Sequence, residues 1–133
     1  MRVYLAGAFS RKNEIAEKTQ ELENMGIIVT SSWVRESESE NKVLDCDEEL
    51  APLLARKDLQ EIMAADAVVL FTHDPTHKFV RGGRMHEAGF AMGLGKSLLV
   101  CGPKENIFHY LPEVNVFSTW EELKETLTKA VLV

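Results

Sequence analysis

The sequence predicts an α/β fold, an open five-stranded parallel sheet with helices on both faces (a three-layer sandwich). Three observations predict it. The runs Val3-Tyr4-Leu5-Ala6, Ala67-Val68-Val69-Leu70-Phe71 and Ser97 to Cys101 are nearly continuous in apolar character rather than alternating, as in strands buried on both faces. Segments with helical spacing separate these runs, and strands that alternate with helices build parallel sheets through right-handed crossovers. The 133 residues, 45% apolar and 27% charged, suit one globular domain over 1–133 with one core.

Val3 to Ala6 reads as the first strand, with Gly7 opening the turn after it. Ser10 is the candidate N-cap of a helix from about Arg11 to Met25, with Ile15, Thr19 and Leu22 on one face and Gly26 closing it in the left-handed conformation. Ile27 to Thr30 is a β-branched second strand. From Ser31 to Asp47 the chain turns polar and acidic without periodicity, which fits a solvated loop or a lid over a pocket. A helix follows from about Asp47 to Ala64, with Pro52 near its first turn. Ala67 to Phe71 is the third strand, and after a loop from His73 to Gly83 a helix runs from about Arg84 to Leu94, stopped by Gly95 and Lys96. Ser97 to Cys101 is the fourth strand and Val114 to Phe117 a weaker fifth, and Thr119 caps a final amphipathic helix.

The net charge of −6 argues against a surface that coats a nucleic acid polymer, while leaving room for a local phosphate pocket. No apolar run approaches the roughly 20 residues that span a bilayer. With no signal-peptide grammar either, a cytoplasmic protein without a membrane partner is expected. Cys46 and Cys101 have no partner at metal-ligand spacing, and His73, His77, His86 and His109 form no ligand pattern, so no metal and no cofactor are expected. Gly95-Lys96-Ser97 and Gly93-x-Gly95 imitate nucleotide loops, but both stand after a helix and before a strand, the reverse of the order those loops need.

In such sheets ligands bind beyond the C-terminal strand ends, where strand order reverses. Glu87 falls there, in the first turn or so of a helix that is apolar on most sides (Met85, Ala88, Phe90, Ala91, Met92). A buried carboxylate costs several kcal/mol without compensation; an N-terminal glutamate that favours the helix dipole is the plainer alternative. Asp58 lies one turn from Leu54 and Ile62, yet Arg56 and Lys57 beside it also fit a surface acid. Gly7-Ala8-Phe9-Ser10-Arg11-Lys12 and Gly82-Gly83 offer small residues, a hydroxyl and cations at helix starts, a natural setting for an anion. Trp33 fits a base-stacking wall or plain core.

Three blocks then resemble the nucleoside 2-deoxyribosyltransferase family, whose relatives include 2′-deoxynucleoside 5′-monophosphate N-glycosidases. These are Val3 to Ser10, Asp58-Leu59-x-x-Ile62-x-x-Ala65-Asp66-Ala67-Val68-Val69, and Gly83-Arg84-Met85-His86-Glu87-Ala88-Gly89-Phe90-Ala91 continuing to Gly95-Lys96. The segment Glu105-Asn106-Ile107-Phe108-His109 to Trp120-Glu121-Glu122 is similar to compact phage and bacterial members. The resemblance implies a flavodoxin-like sheet, a homodimer or larger assembly, and a nucleoside or nucleotide substrate with a free nucleobase as a possible acceptor. It also implies a covalent deoxyribosyl-enzyme intermediate, with Glu87 at the nucleophile's position, Tyr4 at that of the tyrosine that orients it, and Asp58 at that of the acid that contacts the base. Gly7, Phe9, Ser10, Arg11, Arg81 and Gly83 are the substrate-binding candidates. Arg81 departs from the pattern: nucleoside transferases resemble one another in an aspartate six residues before the nucleophile, and deoxynucleotide hydrolases in a serine. A cation there suits a 5′-phosphate, but a side chain turned to solvent is the alternative, and the form of the substrate stays open. A nucleotide-binding module without turnover and a phosphoribohydrolase are the other classes; Tyr4, Asp58 and Glu87 together weigh against the first, and the short chain against the second.

Overall fold

The computed structural model describes residues 1–36, 48–73 and 82–132. They hold five strands, β1 (Arg2–Ala6), β2 (Ile28–Val29), β3 (Ala67–Phe71), β4 (Ser97–Cys101) and β5 (Asn115–Phe117), and four α-helices, α1 (Lys12–Asn24), α2 (Leu50–Met63), α3 (Gly83–Gly93) and α4 (Trp120–Leu132). Most of the acidic segment read as loop or lid, and Arg81, lie outside the described residues.

The sheet order is β2-β1-β3-β4-β5, and every pairing is parallel. This is the flavodoxin-like order, with its reversal between β1 and β3. The central strand β3 is buried at all five positions, as its unbroken apolar run requires. β1 is buried from Val3 to Ala6.

Local chemistry accounts for where the helices stop. Gly26 and Gly95 both take positive φ, +84° and +77°. Behind each, the next amide reaches back to the helix: Ile27 N–H to the Leu22 carbonyl at 3.1 Å and Lys96 N–H to the Ala91 carbonyl at 3.0 Å. These are Schellman endings. Pro52 sits in the first turn of α2, where its missing N–H has no intrahelical role. Thr119 accepts from the Glu122 N–H at 3.2 Å and so caps α4.

Two expectations change. Ser10 does not cap α1: Phe9–Arg11 form a 3-10 turn, closed by Arg11 N–H on the Ala8 carbonyl at 2.9 Å, and Arg11 takes the cap position. The helix thus begins one residue late and is entered through a tighter turn. The second strand is also shorter than its β-branched run suggests. Past Val29, only the Thr30 N–H continues the ladder, to the Val3 carbonyl at 2.8 Å. At Leu5, side chains take over, the Ser31 hydroxyl accepting from the Leu5 N–H at 3.1 Å and the Trp33 indole N–H donating to the Leu5 carbonyl at 2.7 Å. The backbone groups on the outer edge of β1 are thereby satisfied, and Trp33, only 5% exposed, is a structural residue.

Two glycines test this packing. Gly102, just after β4, has φ +123°, and a Cβ there would stand 2.4 Å from Thr72 Oγ1 and 2.9 Å from the Thr72 carbonyl oxygen. Gly102→Ala is expected to cost about 1–3 kcal/mol. A Cβ on Gly89, inside α3, would meet nothing within 4 Å among the described residues, and Gly89→Ala is expected to stabilise by about 0.5–1 kcal/mol. Urea unfolding midpoints check both, and the same midpoint for the two variants would refute this account.

Candidate active site

Tyr4 and Glu87 meet across the switch point. Tyr4 lies on β1 and is fully buried; its hydroxyl donates to the Glu87 carboxylate on α3. α3 starts beyond the end of β3, with Gly82 as its N-cap at φ +85° and no side-chain cap, a left-handed entry that glycine adopts without strain. Burial pushes the Glu87 carboxyl up to about 8, against the Tyr4 hydrogen bond, and the negative charges of Asp58, Glu36 and Glu61 push the same way. Tyr4 is held far above its usual range, first by burial and then by Glu87 and Asp58. Each of these causes follows from placing acids in a poorly solvated space.

Asp58 approaches from α2. Burial raises its carboxyl to about 7, Glu36 adds to the rise, Lys57 opposes it and Glu61 adds again. Its Oδ1 is buried and has no hydrogen-bond partner among the described residues. A polar atom in that state costs roughly 1–3 kcal/mol, so the fold retains it at a loss of stability, as sites for ligands often do.

The neighbours of Asp58 are anchored. Glu61 accepts the Ser32 N–H at 3.0 Å and the Ser32 hydroxyl at 2.6 Å, and the Thr30 hydroxyl donates to the Glu61 carbonyl at 2.8 Å. Glu36, 6% exposed, forms an ion pair with Lys57. These contacts fix α2 against the segment after β2 on both sides of Asp58. The sequence did not single out Glu36, Lys57 or Glu61. Glu61 stands one turn beyond Asp58, which is a usable signal, whereas Glu36 sits in an acidic run that looked solvated.

The remaining candidates occupy the turn after β1 and the start of α3. A Cβ on Gly7 would fall 2.5 Å from Ile15 Cδ1, so Gly7 allows the turn to sit tight against α1. Phe9 is half-buried, tilted against Trp33 at 6.2 Å between centroids, with the Lys12 ammonium 5.1 Å from its ring centre. Ser10 is exposed and Gly83 opens α3. The Arg11 guanidinium is not turned outward: it donates to Glu14 at 2.9 and 2.7 Å and to the Thr72 and His73 carbonyls at 3.2 Å each. It ties the β1 turn to the end of β3. No group of three or more acidic, histidine or cysteine residues among the described residues is placed to hold a metal, and no helix among them is long and apolar enough to cross a membrane.

No family model matches the sequence, and no curated protein matches it. Solved structures do. A 2-deoxyribosyltransferase from Bacillus psychrosaccharolyticus superposes with a TM-score of 0.71 at 21% identity, over 93% of this chain and 90% of that one. A CMP N-glycosidase from Clostridium botulinum gives 0.61 at 20% identity, over 96% and 98%. A 2-deoxyribosyltransferase from Leishmania mexicana gives 0.60 at 14%, over 96% and 97%. The chain has the fold of these proteins over nearly its whole length.

The buried acids predict a pH dependence of stability. Glu87 and Asp58 hold their protons more tightly folded than unfolded, so their contribution is complete below about pH 4 and is lost as pH rises through about 7 to 8. Glu14, lowered to about 2 chiefly by its Arg11 hydrogen bond, acts only below that window. Glu87→Gln keeps the shape and removes the ionisation. It is expected to be more stable than wild type by over about 1 kcal/mol at pH 8, with the difference vanishing at pH 4.5. Urea unfolding at both values checks this, and a pH-independent difference would contradict it.

Proposed function

We propose that this protein cleaves the N-glycosidic bond of 2′-deoxyribonucleosides or their 5′-monophosphates through a covalent deoxyribosyl-Glu87 intermediate and transfers the sugar to another nucleobase. The observation that supports this most is the buried Glu87 carboxyl, held by the Tyr4 hydroxyl at the sheet's switch point with the unpartnered Asp58 oxygen close by. Structural likeness to a deoxyribosyltransferase and to a CMP N-glycosidase supports the same bond as the target.

In the first step a Glu87 oxygen attacks C1′ while the C1′–N bond breaks, its electron pair going to the base nitrogen. Asp58 gives that nitrogen its proton, so the base leaves neutral. Positive charge gathers at C1′ in an oxocarbenium-like transition state, and the absent 2′-hydroxyl withdraws no electrons from it. In the second step an N–H of an incoming base loses its proton to Asp58 and its nitrogen attacks C1′, freeing the Glu87 carboxylate. Two displacements retain configuration. Tyr4 orients Glu87. Water in the second step would make the protein a nucleotide hydrolase instead, a reading supported by the likeness to the N-glycosidase. We carry forward, as part of the proposal, a homo-oligomeric assembly and substrate contacts from Gly7, Phe9, Ser10, Arg11, Arg81 and Gly83.

Incubation with deoxynucleosides and deoxynucleotides, with and without a second free base, tests this by chromatography. Base exchange is the expected result; release only from 5′-phosphates would identify the hydrolase, and no turnover would leave a binding module. Glu87→Ala is expected to lose at least about 10³-fold and Asp58→Asn about 10²–10⁴-fold. Full activity in Glu87→Ala would end the proposal. The active form carries one proton on the Glu87–Asp58 pair, so the pH–rate profile is expected to be bell-shaped with its optimum between about 7 and 8. Asp58→Asn should abolish its alkaline limb.

A further inference from the structure

The segment after β4 has no part in the mechanism above, yet it is wired to the helix that carries Glu87. The Glu105 carboxylate accepts Arg84 Nη1 at 2.8 Å and Nη2 at 3.4 Å, and it also accepts the His73 N–H at 3.2 Å. Arg84 is the second residue of α3, one turn before Glu87, and only 9% exposed. His73 follows β3 with φ +58°, in the left-handed region that a side chain disfavours. Glu105 therefore holds both ends of the connection from β3 to α3.

Glu105 is itself held. Its N–H donates to Nδ1 of His109, which is 3% exposed. Burial, outweighing the pull of Glu105, keeps the His109 imidazole below its ordinary pKa, so Nδ1 stays free to accept. Asn106 accepts the Phe108 N–H at 3.0 Å and lies 3.7 Å from the Met85 sulfur. The Thr72 hydroxyl donates to the Pro103 carbonyl at 2.7 Å. Although burial opposes it, the bonds and charge of Arg84 hold the Glu105 carboxyl below its usual range, so this carboxylate is ionised wherever the enzyme would work.

We propose that Glu105 is a positioning residue for Glu87: by gripping Arg84 and the His73 amide it fixes the start of α3 and so sets where the Glu87 carboxylate stands against Tyr4. This rests on the reading of Glu87 as the nucleophile. Remove the Glu105 carboxylate and Arg84 becomes a buried cation without its partner, a state relieved when the helix start shifts toward water. Glu87 rides on the same helix one turn further along. A displacement near 1 Å at a reacting group costs about 10²-fold in rate, while the proposed substrate contacts on the turn after β1 are left in place.

The test compares Glu105→Ala, Glu105→Gln and, as a control for lost stability, Glu21→Ala, which removes a contact to Trp120 and Lys124 between α1 and α4. Glu105→Ala is expected to lower kcat about 10–100-fold with KM within about threefold, and Glu105→Gln, which keeps an acceptor for Arg84, to recover part of the loss; Glu21→Ala should keep wild-type kcat. A second readout needs no turnover: the carboxyl carbon-13 titration of Glu87 should move down toward the ordinary range in Glu105→Ala. Wild-type kcat together with an unmoved Glu87 titration in Glu105→Ala would overturn the proposal, as would a kcat loss no larger than that of Glu21→Ala. Should the wild type turn over no nucleoside or nucleotide, the proposed function fails, and the Glu87 titration alone decides the role of Glu105. If Glu105→Ala does not fold, the same two readouts on Glu105→Gln decide it, a partial shift supporting the proposal and none overturning it.

Discussion

The hydroxyl of Tyr4 and the carboxyl of Glu87 belong to residues 83 positions apart, and their hydrogen bond joins the first strand to the helix after the third. Much of the structure serves to keep those two ends in place. Ser31 and Trp33 satisfy the edge of β1 at Leu5, next to Tyr4. Gly7 lets the following turn press against Ile15, and Arg11 binds that turn to the end of β3. The parallel order β2-β1-β3 makes the meeting possible, because it puts β1 and β3 side by side and sends their connections away in opposite directions. A largely desolvated carboxyl is costly without a donor; with Tyr4, Glu87 becomes a tolerable and oriented group.

The same constraint explains the electrostatics. The negative charges of Glu36 and Glu61 push up both Asp58 and Glu87, Asp58 adds to the rise at Glu87, and Lys57 is the cation that opposes the rise at Asp58. Glu36 and Glu61 have donors of their own in Lys57 and Ser32, so the strain of like charge falls on the remaining two. Protonation relieves that strain as pH falls through about 8 to 7. During the proposed reaction it is relieved by positive charge at C1′, which exists only in the transition state. An environment unfavourable to the resting anion and favourable to the developing cation binds the transition state differentially, the requirement for raising kcat.

Legibility from sequence followed the range of the interaction. The strands whose burial shows as apolar runs, and the helix ends governed by Gly26, Gly95 and Thr119, rest on local chemistry and were readable to within a few residues. The shortening of β2 was not, because Ser31 and Trp33 displace the ladder by reaching across to Leu5. The Phe9–Arg11 turn, which moved the cap from Ser10 to Arg11, lies below the resolution of propensity. At the candidate site, spacing alone left Glu87 and Asp58 ambiguous, and only the family resemblance lifted them. Glu36 and Glu105 carry no local mark, since their surroundings come from segments far away in the chain.

Arg11 shows how a cation's role can differ from its sequence setting. A basic residue beside a serine at a helix start suggests a ligand for an anion, yet this guanidinium spends its donors on Glu14 and on the carbonyls of Thr72 and His73. Arg84 is likewise committed to Glu105. Both cations hold the framework, one on each side of the β3 end, and His73 lies between them with its carbonyl given to Arg11 and its N–H to Glu105. Under the proposed function, the substrate contacts at Gly7, Phe9 and Ser10 then lie on a turn that Arg11 secures, apart from the helix start that Arg84 and Glu105 hold.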